Sequence, residues 1–160
     1  MCPRWGYLQR LPGRAVAQET WQARNVSPAV DLVDETFIAA DRADIAAVVA
    51  DPANWQTWWP DLSLTVFMDR GLDGIRWSVT GALVGSVEIW LEQFRDGVLL
   101  HYFLRAEPSD QRRWTRTRAT RNRHQRAVVW KRHVWALKDA MEGDRLPGEA
   151  SIPCGSGEVL

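Results

Sequence analysis

The sequence predicts an α+β domain, an antiparallel meander of strands closed by one long C-terminal helix. Two periodicities and one cluster carry this. Between Leu62 and Glu107 apolar residues recur with period two, interrupted by turn signals every eight to twelve residues. After Pro108 the step changes, and Ala127, Trp130, Val134, Leu137 and Met141 fall 3, 4, 3 and 4 apart, on one face of a helix. Ahead of the meander, DPANWQTWWPDL (51–62) sets three tryptophans between two prolines in what looks like a loop.

Composition bounds the class. The 160 residues fit one domain, and an apolar content of 46% is enough for a packed core. Ten tryptophans are many for this length, and so much aromatic surface goes into a core or around an apolar ligand. No apolar run is long enough for a membrane span. No apolar stretch follows Arg4, Arg10 and Arg14, so the N-terminus does not read as a secretory signal. Cys2 and Cys154 lie in opposite tails, which favours free thiols and a cytoplasmic setting. The net charge of zero hides a division: residues 1–30 carry +3, 31–110 carry −9 and 111–160 carry +6. An acidic body and a basic final element would attract each other within one fold.

Residues 1–30 are broken by Pro3, Gly6, Pro12, Gly13 and Pro28 and read as an irregular extension. The domain is expected over 31–143. DLVDETFIAA (31–40) reads as a first strand. A short helix follows, with Asp41 as N-cap and Ile45, Val48 and Val49 on one side, ended or redirected by Pro52. Leu62, Leu64, Val66 and Met68 alternate with polar neighbours and Phe67, and Asp69-Arg70-Gly71 opens a turn. Ile75, Trp77 and Val79 form the next run, broken at Gly81. Leu83, Val87, Ile89 and Leu91 then share a parity opposite Ser86, Glu88 and Glu92. Asp96-Gly97 signals a hairpin into VLLHYFLRAE (98–107). The closing helix starts between Thr115 and Arg123 and stops at Gly143 and Pro147, leaving 144–160 as a flexible tail.

Asp51-Pro52 followed by Trp58-Trp59-Pro60, ahead of the second strand, together with the closing segment WKRHVWALKDAMEG (130–143), resembles the polyketide cyclase/dehydrase and lipid-transport family, the START-like or Bet v 1-like helix-grip superfamily also called SRPBCC. The resemblance spans roughly 31–143. It implies a curved sheet gripping the long helix, an apolar tunnel between them, and short helices across the tunnel entrance. Trp55, Trp58 and Trp59 would then shape the mouth of a ligand cavity. One departure stands out. The family has six or seven strands and five are legible here, so either RWTRTRAT (113–120) contains a strand or the sheet is short and the cavity more open.

Parity and helix phase point Trp77, Val79, Val87, Ile89, Tyr102, Trp130, Val134 and Leu137 inward, where they fill a core or line a pocket. With the resemblance, the expected ligand contacts are Trp58, Trp59, Trp77, Val79, Ile89, Tyr102, Trp130 and Val134, and the expected partner is a small hydrophobic molecule such as a lipid, a polyketide or an aromatic metabolite. Polar groups able to orient it are few. His101 and Tyr102 are neighbours on one strand, so only one faces the cavity. Glu35 offers an inward carboxylate in one register and Asp34 in the other. A cyclase, aromatase or dehydratase using the same cavity would move its proton on His101 or Glu35, or on Tyr102. His101, His124 and His133 lack metal-ligand spacing. GLDG and GALVG lack nucleotide-loop chemistry, so no cofactor is expected.

QRRWTRTRATRNRHQRAVVWKRH (111–133) carries nine Lys/Arg and no acid, with Trp114 and Trp130 interleaved. A solvated helix end complementing the acidic body accounts for it. An RNA- or ribosome-associated module acting through Arg112, Arg113, Arg116 and Arg118 is a second reading, and an anionic membrane surface a third. Trp135 falls off the helical stripe beside Val128 and Lys131, either packed at the sheet edge or exposed as a contact for a second copy.

Overall fold

The computed structural model describes residues 27–110, 114–146 and 148–149. Cys2, Cys154, Arg112, Arg113, Pro147, residues 1–26 of the N-terminal extension and 150–160 of the C-terminal tail lie outside the described residues.

Five strands form one antiparallel sheet: β1 (Val30–Ile38), β2 (Leu62–Asp69), β3 (Gly74–Gly81), β4 (Leu83–Phe94) and β5 (Gly97–Pro108). Their order is β1-β5-β4-β3-β2, so the meander is sequential and β1 returns to pair with the last strand. Two short helices, α1 (Arg42–Ala50) and α2 (Pro52–Trp58), join β1 to β2, and α3 (Arg116–Glu142) lies across β1. At 27 residues α3 is about 40 Å long. The α+β prediction and the strand–helix order are borne out.

The tryptophan segment is not a loop. Asp51 ends α1 and caps α2, its carboxylate accepting from the Ala53 amide at 2.9 Å, and Pro52 sits at the first helical position, where a missing N–H costs nothing. The proline that closes one helix therefore starts the next. Asp41 caps α1 in the same way through the Ala43 amide at 2.7 Å. Ile45, Ala46 and Val49 then turn towards the sheet and are buried.

Two details of the meander differ from its alternation. A bulge between Val66 and Met68 leaves Phe67 unpaired, so Met68 stands opposite Arg76 on the outer face instead of continuing the inner row. In the β4–β5 hairpin Phe94 pairs with Gly97, so the turn centre is Arg95-Asp96, and Arg95 takes the left-handed angle (φ 55°). Gly97 serves a different end: a Cβ there would lie 2.4 Å from the Ile38 carbonyl oxygen of β1.

The choice between a sixth strand and a short sheet resolves towards the short sheet. Thr115 caps α3 through the Arg118 amide, and residues 116–120 are its first turns. Among the described residues no further strand pairs with β2, and Val66, Phe67 and Met68 stand exposed on that edge.

The core lies between the inner sheet face and the helices. It contains Val30, Leu32 and Ile38 of β1, the inner residues of β3 to β5, and Trp130, Val134 and Leu137 of α3. Asp34 and Thr36 face inward too, and they tie α3 down. Asp34 accepts from the Trp130 indole at 3.1 Å and pairs with Lys131 at 2.7 Å, while Lys131 also reaches the Thr36 hydroxyl. At the far end Lys138 donates to the Phe37 carbonyl and pairs with Glu142, which in turn accepts from the Ala39 amide at 2.7 Å.

Candidate functional site

The tryptophans of 51–62 project from α2 and the turn after it into the gap between sheet and α3. Trp55 packs edge-on against Trp77 of β3, ring centres 5.3 Å apart, and donates its indole N–H to the Val49 carbonyl. Trp58 meets Trp130 edge-to-face at 6.0 Å. Trp59 lies parallel to the Trp130 ring and donates its N–H to the Tyr102 hydroxyl at 3.2 Å. Tyr102 stacks on Trp130 at 4.0 Å. Ring pairs of this kind contribute about 0.5–1.5 kcal/mol each beyond their buried area. The resemblance implied a tunnel here, but Trp59, Trp77, Tyr102 and Trp130 occupy most of that space with one another.

What remains open is a recess of about 230 Å³ between the Trp58-Trp59-Pro60 turn and the middle of α3. Trp58, Trp59, Tyr102 and Trp130 supply aromatic walls. Asn122, Gln125 and Arg126, from two successive turns of α3, supply a polar rim with Asp61. The guanidinium of Arg126 clamps both carboxylate oxygens of Asp61, at 2.5 and 3.3 Å, and its Nε donates to Asn122. One side of the mouth is therefore an ion pair joining the tryptophan turn to α3.

Of the expected contact residues, Trp58, Trp59, Tyr102 and Trp130 come together at this recess. Trp77, Val79, Ile89 and Val134 are fully buried and do not border it. Asp61, Asn122, Gln125 and Arg126 were missed by sequence reasoning. The spacing of three and four from Asn122 to Gln125 and Arg126 was available as a signal, but it belongs to a polar flank of the helix that periodicity treats as solvent-facing.

Strand parity settles the neighbouring pair. Tyr102 points to α3, and burial raises its phenol above the ordinary tyrosine value despite the Trp59 hydrogen bond. His101 points to the outer face, where it stacks on Trp90 at 4.4 Å and meets Glu35 at 3.1 Å and Glu92 at 3.0 Å. Glu35 pairs across the sheet with His101 and shares that outer face, whereas Asp34 is the inward carboxylate. The expectation that His101 or Glu35 moves a proton in the cavity is corrected by this register: a full sheet thickness separates them from the recess. Tyr102 is the one of the three that reaches it.

Of the arginine set, Arg116 stands at the start of α3. Arg118 lies over the Trp114 ring at 4.8 Å and approaches Asp110 at 4.0 Å. Among the described residues no group of His, Cys, Asp and Glu has the arrangement of a metal site, and no helix is long and apolar enough to cross a membrane.

The architecture is that of the helix-grip proteins. The chain is similar in structure to the Aha1 dimer from Colwellia psychrerythraea, with 16% identity, a TM-score of 0.50, and 73% of this chain matched to 99% of that one. It is also similar to DR_A0006 from Deinococcus radiodurans, with 10% identity, a TM-score of 0.51, and 68% of this chain matched to 95% of that one. At these identities the likeness defines the fold alone. No protein-family model matches the sequence, and no curated protein matches it significantly.

Proposed function

We propose that this protein binds a small, flat, largely apolar molecule in the recess between the Trp58-Trp59-Pro60 turn and α3. The observation that carries the reading is the lining: aromatic faces from three elements converge on one space and a single polar rim borders it. Aromatic walls with a few polar groups on one side suit a ring system that buries its faces and turns one substituent to the rim. Volume narrows the class. About 230 Å³ is the share of about seven or eight waters, which accommodates one or two fused rings better than a long acyl chain. Asn122 and Gln125 offer amide donors and acceptors to a hydroxyl or carbonyl on the ligand edge. The reading is of binding, and carriage follows from it without further chemistry. No observation favours the cyclase or dehydratase alternative, because the polar group nearest the rings is a buried phenol already bonded to Trp59.

The test uses 2-naphthol as the probe and the indole N–H signals of the isotope-labelled protein as the readout. Saturable shifts of the Trp58, Trp59 and Trp130 signals, with those of Trp90 and Trp135 unmoved, are expected. Shifts confined to Trp90 or Trp135, or none up to the solubility of the probe, would overturn the reading.

A further inference from the structure

The inner stripe of α3 is absorbed by the core, but one flank of the helix carries a second ordered row. Arg121, His124, Val128, Lys131, Arg132 and Trp135 follow one another along the helix, on the flank beside the β1 edge, where Lys131 reaches Asp34. Trp135 is 59% exposed, the most exposed tryptophan among the described residues, and Val128 is 39% exposed. With the side chains flanking them they line a shallow trough whose floor is apolar. From Trp114 to Lys138 the described chain holds no acid; Asp139 is the first. Lys131 is paired with Asp34, yet Arg121 and Arg132 pair with no acid among the described residues. An exposed indole, an apolar floor and uncompensated cations on one helix side ask for a partner that is apolar and anionic together.

We propose that this side of α3 docks on an anionic lipid surface. Trp135 would enter the headgroup boundary, where indoles are favoured, with Val128 beside it. Arg121 and Arg132 would meet lipid phosphates from the same helix, with the His124 imidazole between them. A nucleic acid would satisfy the arginines but offer nothing to Val128 and Ala127. It would also lack a free stacking surface at Trp114, which already carries Arg118. A second copy packed about a twofold axis would bring this cation-bearing helix side against itself, with no acid on either side to compensate. The site is separate from the recess, and neither depends on the other.

The experiment is co-sedimentation of the full chain with vesicles of phosphatidylcholine alone and of phosphatidylcholine mixed with phosphatidylglycerol. Binding to the mixed vesicles only is expected. Trp135→Ala, at an exposed position, should weaken it about tenfold or more. Arg121→Gln with Arg132→Gln should weaken it about twenty-five-fold, from about fivefold per cation near such a surface. Unchanged core indole signals in both variants would establish that they fold. Equal binding to neutral vesicles, indifference to Trp135→Ala, or binding of single-stranded RNA through the same arginines with no vesicle binding would each overturn the proposal.

Discussion

Trp59 donates its indole N–H to the hydroxyl oxygen of Tyr102 at 3.2 Å, in the middle of the aromatic cluster and out of reach of bulk water. This bond crosses from the turn after α2 to the strand beneath α3, so it fixes the tryptophan turn over the sheet. Tyr102→Phe keeps the ring stack on Trp130 and removes the acceptor. The Trp59 N–H is then buried without a partner, and the expected loss is about 1–3 kcal/mol in urea unfolding. A loss no larger than that of an exposed substitution would mean that the recess admits water to Trp59.

Trp77 offers the opposite case. Its indole nitrogen is already buried without a partner, between Trp55 and Trp59. In Trp77→Phe the lost packing is set against relief of that orphaned donor, so the net change should stay within about 1 kcal/mol. Thermal unfolding of this variant beside Tyr102→Phe checks the contrast: the larger deletion should cost less.

The Arg126–Asp61 pair closes one side of the recess, and Asp61 is about half exposed. A pair so placed contributes about 1 kcal/mol or less, so Arg126→Gln should barely change stability. If the pair obstructs entry, the same variant should take up 2-naphthol up to about fivefold faster, the rate equivalent of that energy. Stopped-flow tryptophan fluorescence measures it. A slower uptake would give Arg126 an attractive role at the mouth.

Glu142 sets an acid limit. Burial pushes its carboxyl up, but the Ala39 amide, the Lys138 hydrogen bond and the charges of Lys138 and Arg145 outweigh this, leaving it below the ordinary glutamate value. The unfolded chain therefore takes up this proton at a higher pH than the folded one. The contribution is fully present above the ordinary value and is lost as pH falls through the folded one. Glu142→Gln should be less stable than the parent at neutral pH, and the difference should shrink as pH drops below about 4.5. Urea midpoints across that range provide the check; a constant difference would locate the effect in the hydrogen bonds alone.

The order of elements was legible because each of them exposes one periodic face to a shared core. Trp77, Val79 and Ile89 on strands and Trp130 and Val134 on the helix obey period two and period 3.6 respectively, and all are buried. The bulge at Phe67 was not legible, since an inserted residue preserves composition and changes only phase. The break at Pro52 was legible, but α2 was read as a loop because Pro52 is as suitable for starting a helix as for stopping one. The register at His101 and Tyr102 depended on which neighbour the long-range β1–β5 pairing turned inward, and a single strand carries no record of that. The recess was half visible for a similar reason. Its aromatic walls announce themselves by composition, while Asn122, Gln125 and Arg126 acquire their place only when the tryptophan turn comes to rest against them.

The pairing of β1 with β5 also has a temporal consequence. Strands β2 to β5 meet their neighbours through turns of a few residues, whereas Val30 must find Ala106 and Ile38 must find Val98. Closing that long loop is entropically dear, and it comes after the hairpins, with α3 settling on β1 only once the strand is docked. The first of the five described strands in chain order is thus the last to be seated. Amide exchange during refolding should protect β3 and β4 ahead of β1, and a chain cut short before β5 should leave β1 without its native partner strand.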